Sequence, residues 1–228
     1  MKVTTLGVIR SAGLAAVIAG LMFVVIQPIH PADVLASVST DAWAIIHYAT
    51  LVMLMLFLVG ITGIYARQVT ELGWLGLVGF VVLSLGLLLT AAGGVIEVFV
   101  APLLVESEPE FVHGFLGMVG GHPTDADLGA IPVLWSVSSA GFLGGTLLFG
   151  IANFRAGILS RWASAIFAVG LFASAPAAAL LGTPRVAAVP VGIGLAWLGY
   201  SLWSERRARA TESTAASVAA QRSEAGAA

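Results

Sequence analysis

Six nearly uncharged, predominantly apolar stretches follow one another along the chain, separated by short segments that hold almost all of its charge. A helix rising 1.5 Å per residue needs about 20 such residues to cross the roughly 30 Å hydrocarbon layer of a bilayer. No water is present there to partner backbone polar groups, so a crossing segment must close its own hydrogen bonds as a helix. The spacing predicts spans at about 11–29, 42–66, 73–105, 130–153, 162–182 and 186–203. Pro28 and Pro31 are expected to stop the first of these, and Ser39, Thr40 and Asp41 offer N-caps for the second.

Composition supports the same class. Of 228 residues, 59% are apolar and 10% charged, whereas soluble domains carry about 25% charged residues. There is no cysteine, which removes disulfide scaffolds and thiolate metal sites. A net charge of −2 gives no basic face for nucleic acid. The expected fold is therefore an all-α, polytopic bundle of six transmembrane helices over 1–204, with the lipid bilayer as its surroundings. The segment 205–228 is rich in Ala, Ser, Thr, Glu and Arg and reads as a disordered tail.

Basic residues are retained on the cytoplasmic side of a membrane, so their distribution predicts orientation. With the N-terminus inside, Lys2, Arg10, Arg67, Arg155, Arg161, Arg206, Arg207, Arg209 and Arg222 are cytoplasmic, and Arg185 alone is outside. Both termini are thus expected in the cytoplasm, and the cytoplasmic membrane is the expected location. The outer face then collects Asp33, Asp41, Glu97, Glu106, Glu108, Glu110, Asp125 and Asp127. A competing reading takes the first span as a signal peptide cut after Val34-Leu35-Ala36; its apolar run of about 17 residues is longer than the usual 7–15. Arg67 with Trp74 and Arg155 with Trp162 repeat a seven-residue spacing, which inner-interface chemistry explains without a tandem repeat.

Helices in lipid associate where small residues let backbones approach. Gly141 with Gly145, Ala12 with Ala16 and Gly20, Gly192 with Ala196, and Gly73 with Gly76 and Gly79 form such faces. Pro176 and Pro190 lie within the fifth and sixth expected spans and are expected to kink them. The outer segment 106–129 contains two capping-box patterns. Ser107 with Glu110 is expected to open a short interfacial helix to Val119, turning Phe111, Phe115 and Met118 to the membrane, and Thr124 with Asp127 to open the fourth span.

Ionisable groups within spans are costly and mark candidate function. Here they are His47 and Glu97, with Trp43, Tyr48, Thr50 and Gln27 available to line an outward pocket for a small apolar or weakly polar ligand. All four histidines fall toward the outer side, so His30, His47, Glu97, Glu110, His113 and His122 form a candidate donor set for a divalent metal such as Zn, Mn or Fe. A single Glu-x-x-His, at Glu110 and His113, falls short of the paired motif of di-iron bundles. A haem held by His47 with His30 or His113 is the weaker cofactor reading. No nucleophile or phosphate-binding motif is present, so no catalytic residue is assigned. The favoured expectation is a non-enzymatic accessory subunit or small-solute carrier, with a ligand or a membrane-protein partner at the outer face. The alternative is a membrane enzyme or redox protein holding a metal or haem there.

Overall fold

The computed structural model describes residues 4–180 and 184–204, and these are helical throughout apart from short connections. Helix α1 spans Thr5–Ile29, α2 Leu35–Val38, α3 Asp41–Arg67 and α4 Val69–Val95. A π-turn, Ile96–Val100, leads into α5, Ala101–Leu104, followed by α6, Pro109–Val119. Helices α7, Ile131–Ala156, and α8, Arg161–Leu180, come next. A 3₁₀ turn, Pro184–Ala188, opens the last helix, α9, at 189–204.

The long helices run alternately up and down and close into a ring. The most extensive pairings are α4 with α7 and α1 with α3, joined by α7 with α8 and α3 with α4. Helix α9 completes the circle, with Gly194 against the Phe167 backbone of α8 and Gly192 against Gly20 of α1. The small-residue faces serve these seams. Gly141 and Gly145 meet Gly86 and Leu83 of α4, Ala12 and Ala16 meet Gly63 and Gly60 of α3, and Gly20 meets Ala196. Each seam is within the chain, where close approach replaces the hydrophobic drive that lipid cannot supply. The ring's centre is filled by Phe23, Phe57, Phe142 and Phe167, with neighbouring ring centroids 6.1–6.3 Å apart. Its outer wall exposes Leu14, Leu21, Val52, Met55, Leu85, Val137 and Ile193, an exterior suited to lipid.

Among the described residues five helical segments are long and apolar enough to cross a membrane: Gly7–Ile29, Asp41–Arg67, Val69–Leu104, Ile131–Ala156 and Arg185–Ser204. The stretch expected as a further span at 162–182 forms α8, whose described helix ends at Leu180; the expected tail, 205–228, lies outside the described residues. Charge divides between the two ends of the ring. Arg10, Arg67, Arg155 and Arg161 belong to one end, while His30, Asp33, Asp41, Glu97, the acidic 106–127 segment and Arg185 belong to the other.

Several local expectations are corrected. Helix α1 starts at Thr5, with the Thr4 hydroxyl accepting from the Gly7 amide, and it passes through Pro28 before ending at Ile29. Of the three caps offered for α3, Thr40 is the one used, its hydroxyl accepting from the Trp43 amide, and Asp41 is the helix's first residue. Gly73 packs on nothing; it sits at φ 57° and breaks the start of α4, so it is not part of a small-residue face. Neither capping box forms. Helix α6 starts at Pro109 without a side-chain cap, and Thr124 and Asp127 accept from Ala126 and Gly129 in turns ahead of α7. Pro190 falls in the first turn of α9, where a missing amide costs nothing and no kink follows. Phe115 is turned away from the membrane. It is buried with Val112 and Leu116 in a second core with Val38, Trp43, Ala101 and Leu128, so α6 lies as a cap over the histidine end of the ring.

Candidate functional site

The geometry of the histidine end begins with a backbone irregularity. At the π-turn the Ala101 amide bonds back to the Ile96 carbonyl, five residues away. The Glu97 carbonyl would then look to residue 102, which is proline and has no N–H. That orphaned acceptor is taken up by the Trp43 indole, whose Nε1 donates to the Glu97 oxygen at 2.9 Å. Trp43 is fully buried and so works as a clamp between α3 and the π-turn, not as a wall of an open pocket.

One turn further along α3, His47 stacks on the Trp43 ring with centroids 3.9 Å apart and an interplanar angle of 28°. Its Nδ1 donates to the Trp43 carbonyl at 2.8 Å, so Nδ1 carries hydrogen. Its buried Nε2 has no hydrogen-bond partner among the described residues and faces the Glu97 carboxylate, with Oε2 at 3.7 Å. His47 and Glu97 are 1% and 8% exposed. The His30 ring, from the end of α1, meets His47 edge-on at 4.9 Å, and its Nδ1 donates to the Pro31 carbonyl at 2.8 Å. Burial, with Arg185 adding to it, holds the His30 imidazole below its ordinary pKa. Asp33 and Arg185 form an ion pair that ties the segment after α1 to the 3₁₀ turn before α9.

His30, His47, Glu97 and Trp43 thus come together, and the remaining candidates do not join them. Glu110, His113 and His122 line a separate surface pocket of about 550 Å³ with Asp33 and Asp125. Among the described residues no three His, Asp or Glu side chains are grouped so as to hold a metal ion, and we identify none of the six as a metal ligand. The His30 and His47 rings touch directly, which leaves no gap for a porphyrin between them. Tyr48 points outward, 48% exposed and packed on Phe99; one residue on from an inward His47, it is turned about a quarter of the way round the helix.

Below this cluster lies a cavity of about 360 Å³ between α1, α3, α4 and α7. Gln27 lies three residues before His30 and Thr50 three after His47, so the cavity starts about one turn deeper than the histidines. Its polar lining is Gln27, Thr50, Thr90, Ser138 and Ser139 beside Trp135, and Phe23 and Phe142 of the central aromatic cluster contribute to its wall. Thr50 donates to the Ile46 carbonyl, Thr90 to the Gly86 carbonyl, and Ser138 and Thr90 share a 2.8 Å hydrogen bond. Gln27 and Thr50 were legible as pocket residues; Thr90, Trp135, Ser138 and Ser139 were not, because which faces of α4 and α7 meet cannot be read from two uniformly apolar spans. A larger groove of about 710 Å³ runs between α1 and α3 at the arginine end, walled by outward residues such as Val8, Val59 and Thr62.

None of the protein-family models, curated proteins or solved structures compared with this chain matches it.

Proposed function

We propose that this chain is a six-span protein of the cytoplasmic membrane, both termini inside, that binds a small uncharged, weakly polar solute in the outer half of its ring and acts as a carrier or the solute-binding subunit of one. The observation that carries this reading is the lining of the 360 Å³ cavity, which contains no ionisable side chain although histidines and carboxylates crowd the same end of the bundle. Hydroxyls, one amide and an indole on an otherwise apolar wall are the few convergent polar groups typical of small-molecule sites, whose volumes run from about 300 to 1,000 Å³. A charged solute would enter without a counter-ion, at a cost of several kcal/mol.

The aromatic cluster of Phe23, Phe57, Phe142 and Phe167 stands between the cavity and the arginine end. Solute therefore exchanges at the histidine end, which the excess of cytoplasmic Arg and Lys makes the outer one. Helix α8, 20 residues long and free of Asp, Glu and Lys beyond its first residue, supplies the sixth crossing in this reading. A thermal-shift panel of small uncharged solutes on the detergent-purified protein tests it. The reading expects stabilisation by at least one class of neutral solute, abolished by Ser139→Trp, which fills the cavity. Stabilisation only by ionic compounds, or equally in Ser139→Trp, would contradict it.

A further inference from the structure

The carrier reading does not use the most unusual group in the molecule, the His47 Nε2 that is buried, unpartnered and aimed at a carboxylate. Because Nδ1 is committed as donor to the Trp43 carbonyl, a neutral His47 presents a bare lone pair at Nε2 to Glu97 Oε2, 3.7 Å away. Two acceptors facing each other in a dry site repel, and 3.7 Å is beyond hydrogen-bond length. A single proton resolves the conflict, since it makes one partner a donor and the pair net neutral whether it resides on nitrogen or oxygen.

Three charged or titratable groups among the described residues face the pair. From the end of α1 and the segment after it come His30 and Asp33, and from the 3₁₀ turn before α9 comes Arg185. Asp33 and Arg185 neutralise one another as an ion pair. Helix α6 buries Val112, Phe115 and Leu116 in this end of the core, with Phe111, Met118 and Val119 packed against them, and α2 contributes Val38 and Leu35, all of them apolar. Among the described residues no further charge faces Glu97 to compensate its ionised form, and a proton shared with His47 supplies that compensation. Glu97 stands on the wide π-turn, and its own carbonyl is held across to α3 by the indole hydrogen bond from Trp43.

We propose that His47 and Glu97 form an intramembrane proton-binding site, one exchangeable proton held between Nε2 of α3 and the carboxylate of the π-turn, one helical turn above the cavity. Uptake draws α3 and the π-turn together; release leaves a buried carboxylate opposite a lone pair and separates them. Nothing in this depends on a solute occupying the cavity, so the two ideas fail separately.

The stacked indole reports the event, because a protonated imidazole against it quenches its fluorescence. The test is a pH titration of the detergent-purified full chain, taking the Trp43 signal as the difference between wild type and Trp43→Phe. The proposal expects a reversible one-proton transition in that difference, lost in His47→Asn, retained with a displaced midpoint in Glu97→Gln, and unmoved in His30→Gln. If His47→Asn does not fold, the isosteric Glu97→Gln still decides. A Trp43 signal that does not titrate, that Glu97→Gln leaves unmoved, or that follows His30 instead, would overturn the proton site.

Discussion

Gly144 and Gly145 are neighbours on α7, yet a methyl group added to each should act in opposite directions. A Cβ on Gly145 would stand 2.3 Å from the Leu83 backbone nitrogen and 2.5 Å from its Cα, on the most extensive helix pair of the bundle. Ordinary contact begins near 3.4 Å, so α4 and α7 would have to part by about 1.1 Å locally. The obstacle is backbone and cannot rotate away. Overpacking of this kind costs about 1–3 kcal/mol, set against a helix-propensity gain of up to about 1 kcal/mol for Gly→Ala. Gly144→Ala, with nothing within 4 Å of the new carbon, keeps only the gain, so Gly145→Ala should fall about 1–3 kcal/mol below it. Gly86→Ala strikes the same seam at the Phe142 nitrogen, 2.5 Å away, and once the helices are parted the second intrusion meets less resistance. The Gly86→Ala, Gly145→Ala pair should then cost less than the sum of its singles. Thermal unfolding of the detergent-purified variants measures all four. Equal stability of Gly144→Ala and Gly145→Ala, or strict additivity across the seam, would refute the α4–α7 packing described here.

Other consequences are open to direct measurement. Trp43→Phe keeps the ring but removes the donor to the buried Glu97 carbonyl, and should lower unfolding stability by about 1–3 kcal/mol. Arg185 is about a third exposed, so separating it from Asp33 with Arg185→Gln should cost only about 1 kcal/mol, recovered in part by the Asp33→Asn, Arg185→Gln double variant. His30 has its pKa lowered by burial, so the unfolded chain binds the extra proton first; stability should fall as pH drops below about 6.5, and His30→Gln should flatten that fall. Reporter fusions at the C-terminus should read cytoplasmic, and a periplasmic reading would contradict six crossings from a cytoplasmic N-terminus.

The helices and the ends they present were legible because apolar length and the placement of Arg and Lys are one-dimensional signals. Pairing was partly legible. Gly141, Gly145, Ala12, Ala16 and Gly20 announced close approach but not the partners Leu83, Gly86, Gly60, Gly63 and Ala196, which depend on ring order. Uniformly apolar spans have no polar stripe to tell an inward face from an outward one, so Thr90 and Ser138 read as scattered polar residues when they in fact share a hydrogen bond in the cavity wall. His47 and Glu97 stood out as ionisable groups in spans, but nothing in their spacing said that they face one another. What linked them was less visible: Pro102, five residues after Glu97, withholds the amide that the π-turn needs, and Trp43 supplies the replacement. The Gln68 to Asn153 hydrogen bond, buried at the arginine end, went unread because both residues sit at expected span boundaries, where solvent is the default partner.

The measurement closest to the central claim uses the absence of cysteine from the chain. Single cysteines at Gln27 and Ser139, in the cavity lining, and at Ser164, fully buried on α8 near the arginine end, can be exposed in whole cells to a membrane-impermeant thiol reagent. The account predicts labelling of Gln27→Cys and Ser139→Cys from outside, blocked by Ser139→Trp in the Gln27→Cys background, with Ser164→Cys unlabelled. Cavity cysteines that react only once the reagent is admitted to the cytoplasm, or do not react at all, would contradict an outward-facing solute site.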